Sequence, residues 1–384
     1  MQIKHDRKII YLAGFLFSIP LALTSYINSS FLSTYINEYY VGIVYIIASI
    51  ISIFGLLKMP KILNKLGNRF TILMFTIFSF LSLTTLAFSH NVAISILGII
   101  IYFISTDFII ASLDIFIEDF SKNSNIGRFR GFYLMIINFA WVIAQTISGS
   151  IIAKSSFSGI YLFGAGFMLL TSFIFILSLH DFKDPKYTKE PILKTIKTFI
   201  KNNSLSKIYL INLILRFFFA WMVIYTPIYL YEHIGFNWEQ IGLIFTIMLL
   251  PFILLDFPLG KLSDKIGERK ILLFGFFTAI LFTFFIPFIK TPQVWIWAII
   301  LFGTRIGGAT IEVMSESYFF KEITDKNADE ISFFRNTYPL SFIIAPLIAI
   351  PVLLLVPSFE YLFFILCTVL LIGFFITLRL KDIK

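Results

Sequence analysis

Twelve stretches of about twenty predominantly apolar residues recur along the chain, near 9–30, 39–57, 70–89, 92–117, 132–153, 159–180, 208–231, 239–258, 270–289, 294–317, 332–356 and 359–378. A bilayer core about 30 Å thick takes around 20 residues of helix per crossing. The spacing therefore predicts an all-α membrane protein with twelve transmembrane helices, spans 1 to 12, and leaves only short loops. Composition points the same way. Charged residues make up 14% of the chain and hydrophobic ones 58%, whereas soluble domains carry about 25% charged residues. With 48 Phe among 384 residues, too little polar surface remains to face water.

A formal net charge of +9 would raise the question of nucleic acid in a soluble chain. Its distribution answers that question. Of the 31 Lys and Arg, 27 lie in the N-terminal segment, in the loops after spans 2, 4, 6, 8 and 10, and in the C-terminal segment. The alternate loops hold only Lys154 and Lys290, and Arg216 and Arg305 lie within spans. Basic residues stay on the cytoplasmic side of a membrane, so both termini are expected there, in a cell membrane, with no nucleic-acid partner. The start, Lys4, Arg7 and Lys8 before Ile9, has the polarity of a signal peptide. It lacks a convincing small-x-small cleavage site and reads as a retained first span. Cys367 is the single cysteine, which excludes an intramolecular disulfide.

The longest connection, 181–207, divides the chain into six spans and six: 1–180 and 208–384. It carries seven Lys, and after Pro191 the residues Ile192, Leu193, Ile196, Phe199 and Ile200 share a helical face. That pattern predicts an amphipathic surface helix, either a strap between mobile halves or a linker whose charges keep it inside. A shift of 198 to 200 residues superimposes the halves: Gly42 on Gly242, Gly67 on Gly267, Asp107 on Arg305, Asp114 on Glu312 and Glu118 on Glu316. Two six-span halves of the same topology form a parallel repeat, a transporter architecture.

The loop after span 8 reads Gly260-Lys261-Leu262-Ser263-Asp264-Lys265-Ile266-Gly267-Glu268-Arg269-Lys270. Gly267 suits a positive-φ turn, and Asp264 offers a carboxylate to a helix N-terminus or an Arg. This loop resembles the Gly-x-x-x-Asp-Arg/Lys-x-Gly-x-Arg/Lys signature of the major facilitator superfamily, and the twelve spans, 6+6 division and basic central loop extend the resemblance over the whole chain. The resemblance implies that Asp264 and Arg269 latch one half to the other while the cytoplasmic side is shut. The first-half copy, with Asn64, Gly67 and Arg69, has Pro60 for the first Gly and Asn64 for the Asp; Asn64 supplies no charge, which puts a first-half latch in doubt.

Spans 4 and 10 end in acidic pairs four residues apart, Asp114 with Glu118 and Glu312 with Glu316, each pair on one helical face. With Arg130 and Arg335 ahead of the next spans they are expected to form ionic clusters at the cytoplasmic gate, or to be hydrated loop charge. Deeper in the membrane stand Asp107, Arg216 and Arg305, on spans that line the cavity in the resembled family. A charge at this depth costs about 2.5–3.5 kcal/mol and is read as functional. The two Arg are expected to attract an anionic or strongly polar solute, with Asp107 a counter-ion or proton carrier; a structural pair is the alternative. Ser25, Asn138, Gln145 and Asn212 are polar candidates for the same substrate site.

No catalytic residue set and no metal site is expected: the four His lie at span ends or in loops, without metal-ligand spacing. No phosphate-binding Gly-x-x-x-x-Gly-Lys-Ser/Thr loop occurs, and no nucleophile, base and orienting group can be assembled within the spans. The expectation is thus a monomeric secondary or facilitative transporter in the lipid bilayer, not an enzyme. It has a small-molecule substrate and no cofactor beyond possible proton coupling. A lipophilic drug/proton antiporter, or a receptor or scaffold that kept the fold, stay open as alternatives. Span 5 lacks the Gly-Pro and Gly-Gly pairs typical of the antiporters and carries Ala144, Gln145, Ser148 and Gly149 there.

Overall fold

The computed structural model describes residues 2–120, 126–178, 192–323 and 328–381, and among them every regular element is helical. Among the described residues eleven helical stretches are long and apolar enough to cross a membrane: Lys8–Ser25, Glu38–Leu57, Asn68–Phe88, Val92–Ile117, Met135–Leu177, Asn203–His233, Trp238–Gly260, Glu268–Phe288, Val294–Glu322, Phe333–Leu355 and Tyr361–Leu378. Ten of them hold 18 to 31 residues, one crossing each, whereas Met135–Leu177 holds 43, enough for two. It is broken at Ser156, which has φ 56° and ψ −165°. Gln145 donates to the carbonyl of Ala22 at 2.5 Å, and Gly164 faces Pro20. A straight helix would hold residues 145 and 164 about 28 Å apart at 1.5 Å per residue, yet both meet span 1 within a single turn. The chain therefore reverses at Ser156, and this stretch supplies spans 5 and 6 of the expected twelve.

Contacts divide the chain into two units, Met1–Lys189 with Asn237–Gly242, and Glu190–Phe236 with Leu243–Lys384. In the first unit span 1 packs on spans 4, 5 and 6, span 2 on span 4, and span 3 on spans 4 and 6. In the second, span 7 packs on spans 10, 11 and 12, and span 9 on spans 10 and 12. Small residues permit the close approaches: Gly307 of span 10 lies against the backbone of Gly275 and Ala279 on span 9, where a side chain would force the helices apart.

The duplication is visible in the backbone. Gly67 (φ 78°, ψ 158°) and Gly267 (φ 81°, ψ 157°) precede spans 3 and 9 in nearly identical left-handed turns, which other residues resist. Two residues on, Arg69 donates to the carbonyl of Ile176 at 2.8 Å, and Arg269 to that of Leu378 at 2.6 Å. Each guanidinium thus satisfies a carbonyl near the end of the sixth helix of its own half, where helices leave such groups unpaired.

Of the connection between the halves, residues 179–191 lie outside the described residues, and the predicted amphipathic helix occupies Ile192–Lys201. Its Phe199 is buried against Tyr209, Phe319 and Phe333, at ring-centroid distances of 5.6, 6.4 and 4.8 Å. Ser206 donates to the Phe199 carbonyl at 2.5 Å, and Lys194, Lys197 and Lys201 are exposed. The helix is therefore seated on the second unit with its charges outward.

Candidate functional site

In the first unit, Asp107 is 7% exposed and accepts a hydrogen bond from Ser52 of span 2. Ser49, one turn earlier on the same face, is fully buried, so the span 2–span 4 contact contains a polar seam around one carboxyl group. Gln145 is committed to the Ala22 carbonyl, and Ser25 bonds back to the Leu21 carbonyl at 2.5 Å. Asn138 is half-buried. Two further bonds tie span 1 and the short helix after it to their neighbours: Thr24 to the Tyr102 hydroxyl at 3.1 Å, and Tyr161 to Asn28 at 3.0 Å.

In the second unit the charges assemble differently from the sequence-based grouping. Arg216 lies 2.8 Å from Glu312 and 3.7 Å from Glu316, and Arg335 grips Glu316 with both guanidinium nitrogens. Spans 7, 10 and 11 are thereby joined through two Arg and two Glu, a set with no net charge. One turn from Arg216, Asn212 accepts from Thr337 at 2.6 Å and donates to Ser315 at 3.4 Å, a neutral extension of the same junction. Arg216, expected at a solute site, and Glu312, Glu316 and Arg335, expected at a gate, are therefore one cluster. Arg305 is separate from it in character: 1% exposed, its guanidinium lies 5.3 Å from the Phe218 ring centre and 5.1 Å from that of Phe219. Desolvated cation–π contacts of this kind are worth about 2 kcal/mol, which offsets part of the cost of burying the charge.

The signature loops supply the turns and the two Arg–carbonyl bonds described above. Asn64 and Asp114 are exposed; the side chains of Glu118, Arg130 and Asp264 lie outside the described residues. Sequence reasoning passed over Glu268, which is 1% exposed and accepts from Lys321 at 2.6 Å and Ser317 at 3.0 Å. The available signal was its position, directly between the turn glycine and Arg269, at a helix start that favours an acid. Ser52 and Thr337 were missed too, because nothing in the sequence separates them from the other hydroxyls inside spans.

At the other end of the second unit, Lys290 pairs with Glu360. Burial pushes the Glu360 carboxyl up, but the Lys290 hydrogen bond, its own backbone N–H and the charges of Lys290 and His233 outweigh it and hold it below the usual range. The stabilisation is then present above the unfolded-state value and is lost as pH falls through the lowered one.

The repeat, the turns and the span-embedded charges meet in one family. The profile described as Major Facilitator Superfamily matches residues 10–311 and 218–383. The chain belongs to that superfamily. It is accordingly a multi-pass membrane transporter of small molecules and not an enzyme. Among solved structures, the nucleoside transporter NupG superimposes with a TM-score of 0.79 at 12% identity, over 97% of this chain and 99% of that one. The POT family transporter PepTSo gives 0.78 at 12%, over 98% and 97%. At such identity the likeness is one of fold. The "Multidrug efflux pump SdrM" of Staphylococcus aureus is 27% identical over 146 residues, 36% of this chain and 32% of that protein, so the match spans about a third of that relative's length.

Proposed function

We propose that this superfamily member carries a small polar, anionic organic solute by alternating access, with residues 1–180 and 208–384 as its moving halves. The observation that carries the reading is Arg305, a cation 1% exposed in the middle of span 10. Keeping a guanidinium at this depth costs about 2.5–3.5 kcal/mol on the insertion scale, and a residue kept at that cost is read as functional. The Arg305 guanidinium carbon lies 5.3 and 5.1 Å from the Phe218 and Phe219 ring centres, and the planar fork of a guanidinium matches a carboxylate or phosphate in a bidentate fashion. Arg216 is charge-compensated by Glu312 and Glu316 and serves as a secondary cation that an incoming anion competes for. Asp107, bonded to Ser52, is the carboxyl suited to carry a coupled proton. The Lys/Arg asymmetry of the loops supports cytoplasmic termini, and the reading takes the protein as a monomer in a cell membrane.

A thermal-shift screen of the detergent-purified protein tests this against organic anions, sugars, nucleosides, amino acids and lipophilic cations. A ligand that binds only the folded state raises the melting temperature. The expected hit is an organic anion whose shift disappears in Arg305→Ala and is reduced in Arg216→Ala. An equal shift in wild type and Arg305→Ala removes the assigned role. The second reading is a lipophilic drug exporter, favoured by the 146-residue similarity to a multidrug efflux pump; hits confined to lipophilic cations, sensitive to Asp107→Asn, select it.

A further inference from the structure

The outer side of the span 5–span 6 turn carries a feature that the transport reading does not use. Thr146, Ser150 and Lys154 follow one another at four-residue intervals along span 5, which places them in one stripe, with Ile147 and Ile151 beside them. After the reversal at Ser156, Gly159, Leu162 and Phe163 return alongside, and together with Ser155 these residues line a groove of about 600 Å³. One edge of the groove is polar. The other is apolar and open, Leu162 and Phe163 being 44% and 41% exposed. Gly159 keeps the floor low, since a Cβ there would run into the Ser155 side chain.

The surroundings identify what fills such a groove. Met135, Phe139, Leu169, Leu170 and Phe173 of the same two spans are all exposed, so this surface faces acyl chains. Lys154 stands at the end of span 5, at the depth where a span passes from hydrocarbon to headgroups. Of the two lysines in loops of this side, Lys290 has Glu360 as its partner, whereas among the described residues no ion pair engages Lys154. Ser150 and Ser155 are exposed beside it. An exposed ammonium with two hydroxyls above an apolar trough matches a phosphate on a diacyl tail. A zwitterionic headgroup would bring its own cation next to Lys154; an acidic one brings none.

Backbone conformation adds an independent sign that this arrangement is held. Ser156 occupies φ 56°, ψ −165°, a region essentially reserved for glycine, and strain of this kind persists where the surroundings impose it. The next residue, Phe157, turns inward to meet Phe31 at 5.5 Å, while Lys154 and Ser155 are exposed. The strained residue is the point at which the chain changes from one to the other.

We propose that the groove at the span 5–span 6 turn is a seat for an acidic phospholipid, its phosphate held by Lys154, Ser150 and Ser155 and one acyl chain lying along Ile147, Ile151, Leu162 and Phe163. Gln145 and Gly149, on the buried face of the same helical turns, make its internal contacts, so an occupied seat braces span 5 from the lipid side.

Native mass spectrometry of delipidated protein, given phosphatidylglycerol or phosphatidylcholine with the same acyl chains, tests the seat. The wild type is expected to retain phosphatidylglycerol with about a five-fold preference, the factor that one lysine supplies near an anionic headgroup. Lys154→Gln loses the preference, Lys154→Arg keeps it, and Lys290→Gln leaves it unchanged. Ser150→Trp, which fills the trough without altering charge, lowers retention of both lipids. Because these side chains are exposed, melting temperatures of the lipid-free variants should match the wild type. Equal retention of the two lipids by the wild type, or an undiminished preference in Lys154→Gln, overturns the proposal. So does full competition by glycerol phosphate, which would make the site one for a soluble phosphate ester.

Discussion

Arg216 and Arg305 are both span-embedded cations, but their surroundings give them different physics. Arg216 has carboxylates at 2.8 and 3.7 Å and is 17% exposed, with Glu312 at 28%. Such a pair lies between exposed pairs, worth about 0–1 kcal/mol, and buried ones, where removing one partner costs about 3–5 kcal/mol. Arg216→Ala is therefore expected to destabilise the protein by about 1–3 kcal/mol, and adding Glu312→Gln should recover part of that loss. A double-mutant cycle on melting temperatures in detergent measures the coupling; strict additivity would show that the pair contributes nothing. From the sequence, both Arg were recognisable as costly residues within spans, and so was Asp107. Their company was not. Whether Arg216 meets Glu312 depends on the rotation and vertical offset of spans 7 and 10, which helical periodicity within either span does not encode. Ser52 as the partner of Asp107 is the same case, settled by how span 2 is turned toward span 4.

Among the elements, the spans themselves were the most legible, because an apolar run of crossing length has one stable outcome in lipid. The two left-handed glycine turns were legible too, since few other residues tolerate that backbone. By contrast, the destination of the linker helix was not. Its face of Ile192, Leu193, Ile196, Phe199 and Ile200 predicts burial in something apolar but does not say what. The structure gives Phe199 a protein socket made by Tyr209, Phe319 and Phe333, while Ile200 is 73% exposed. Phe199→Ala should cost about 3–5 kcal/mol if the socket behaves as a core site, paid locally by release of Ile192–Lys201. Hydrogen–deuterium exchange reads this directly: faster exchange across 192–201 with spans 7 and 10 unaffected is expected, and unchanged exchange would mean that the ring anchors nothing.

At the level of the whole molecule, the sidedness inferred from 27 of 31 basic residues can be tested because the chain has one cysteine, Cys367, and it is buried. In a Cys367→Ser background, Lys290→Cys should react with a membrane-impermeant thiol reagent in intact cells, and Lys61→Cys only after permeabilisation. The reverse pattern would invert the topology. The repeat was detectable as a run of matched positions, and its clearest physical counterpart is the pair of bonds from Arg69 to Ile176 and from Arg269 to Leu378. Those bonds bear on modularity. Each fastens the start of a half's third span to the end of its sixth, so that closure of either six-helix set is written inside its own stretch of sequence. Of the joining peptide, Ile192–Lys201 belongs to the second set through Phe199, so a join lengthened or interrupted as the protein diversifies is expected to spare that helix and fall before it.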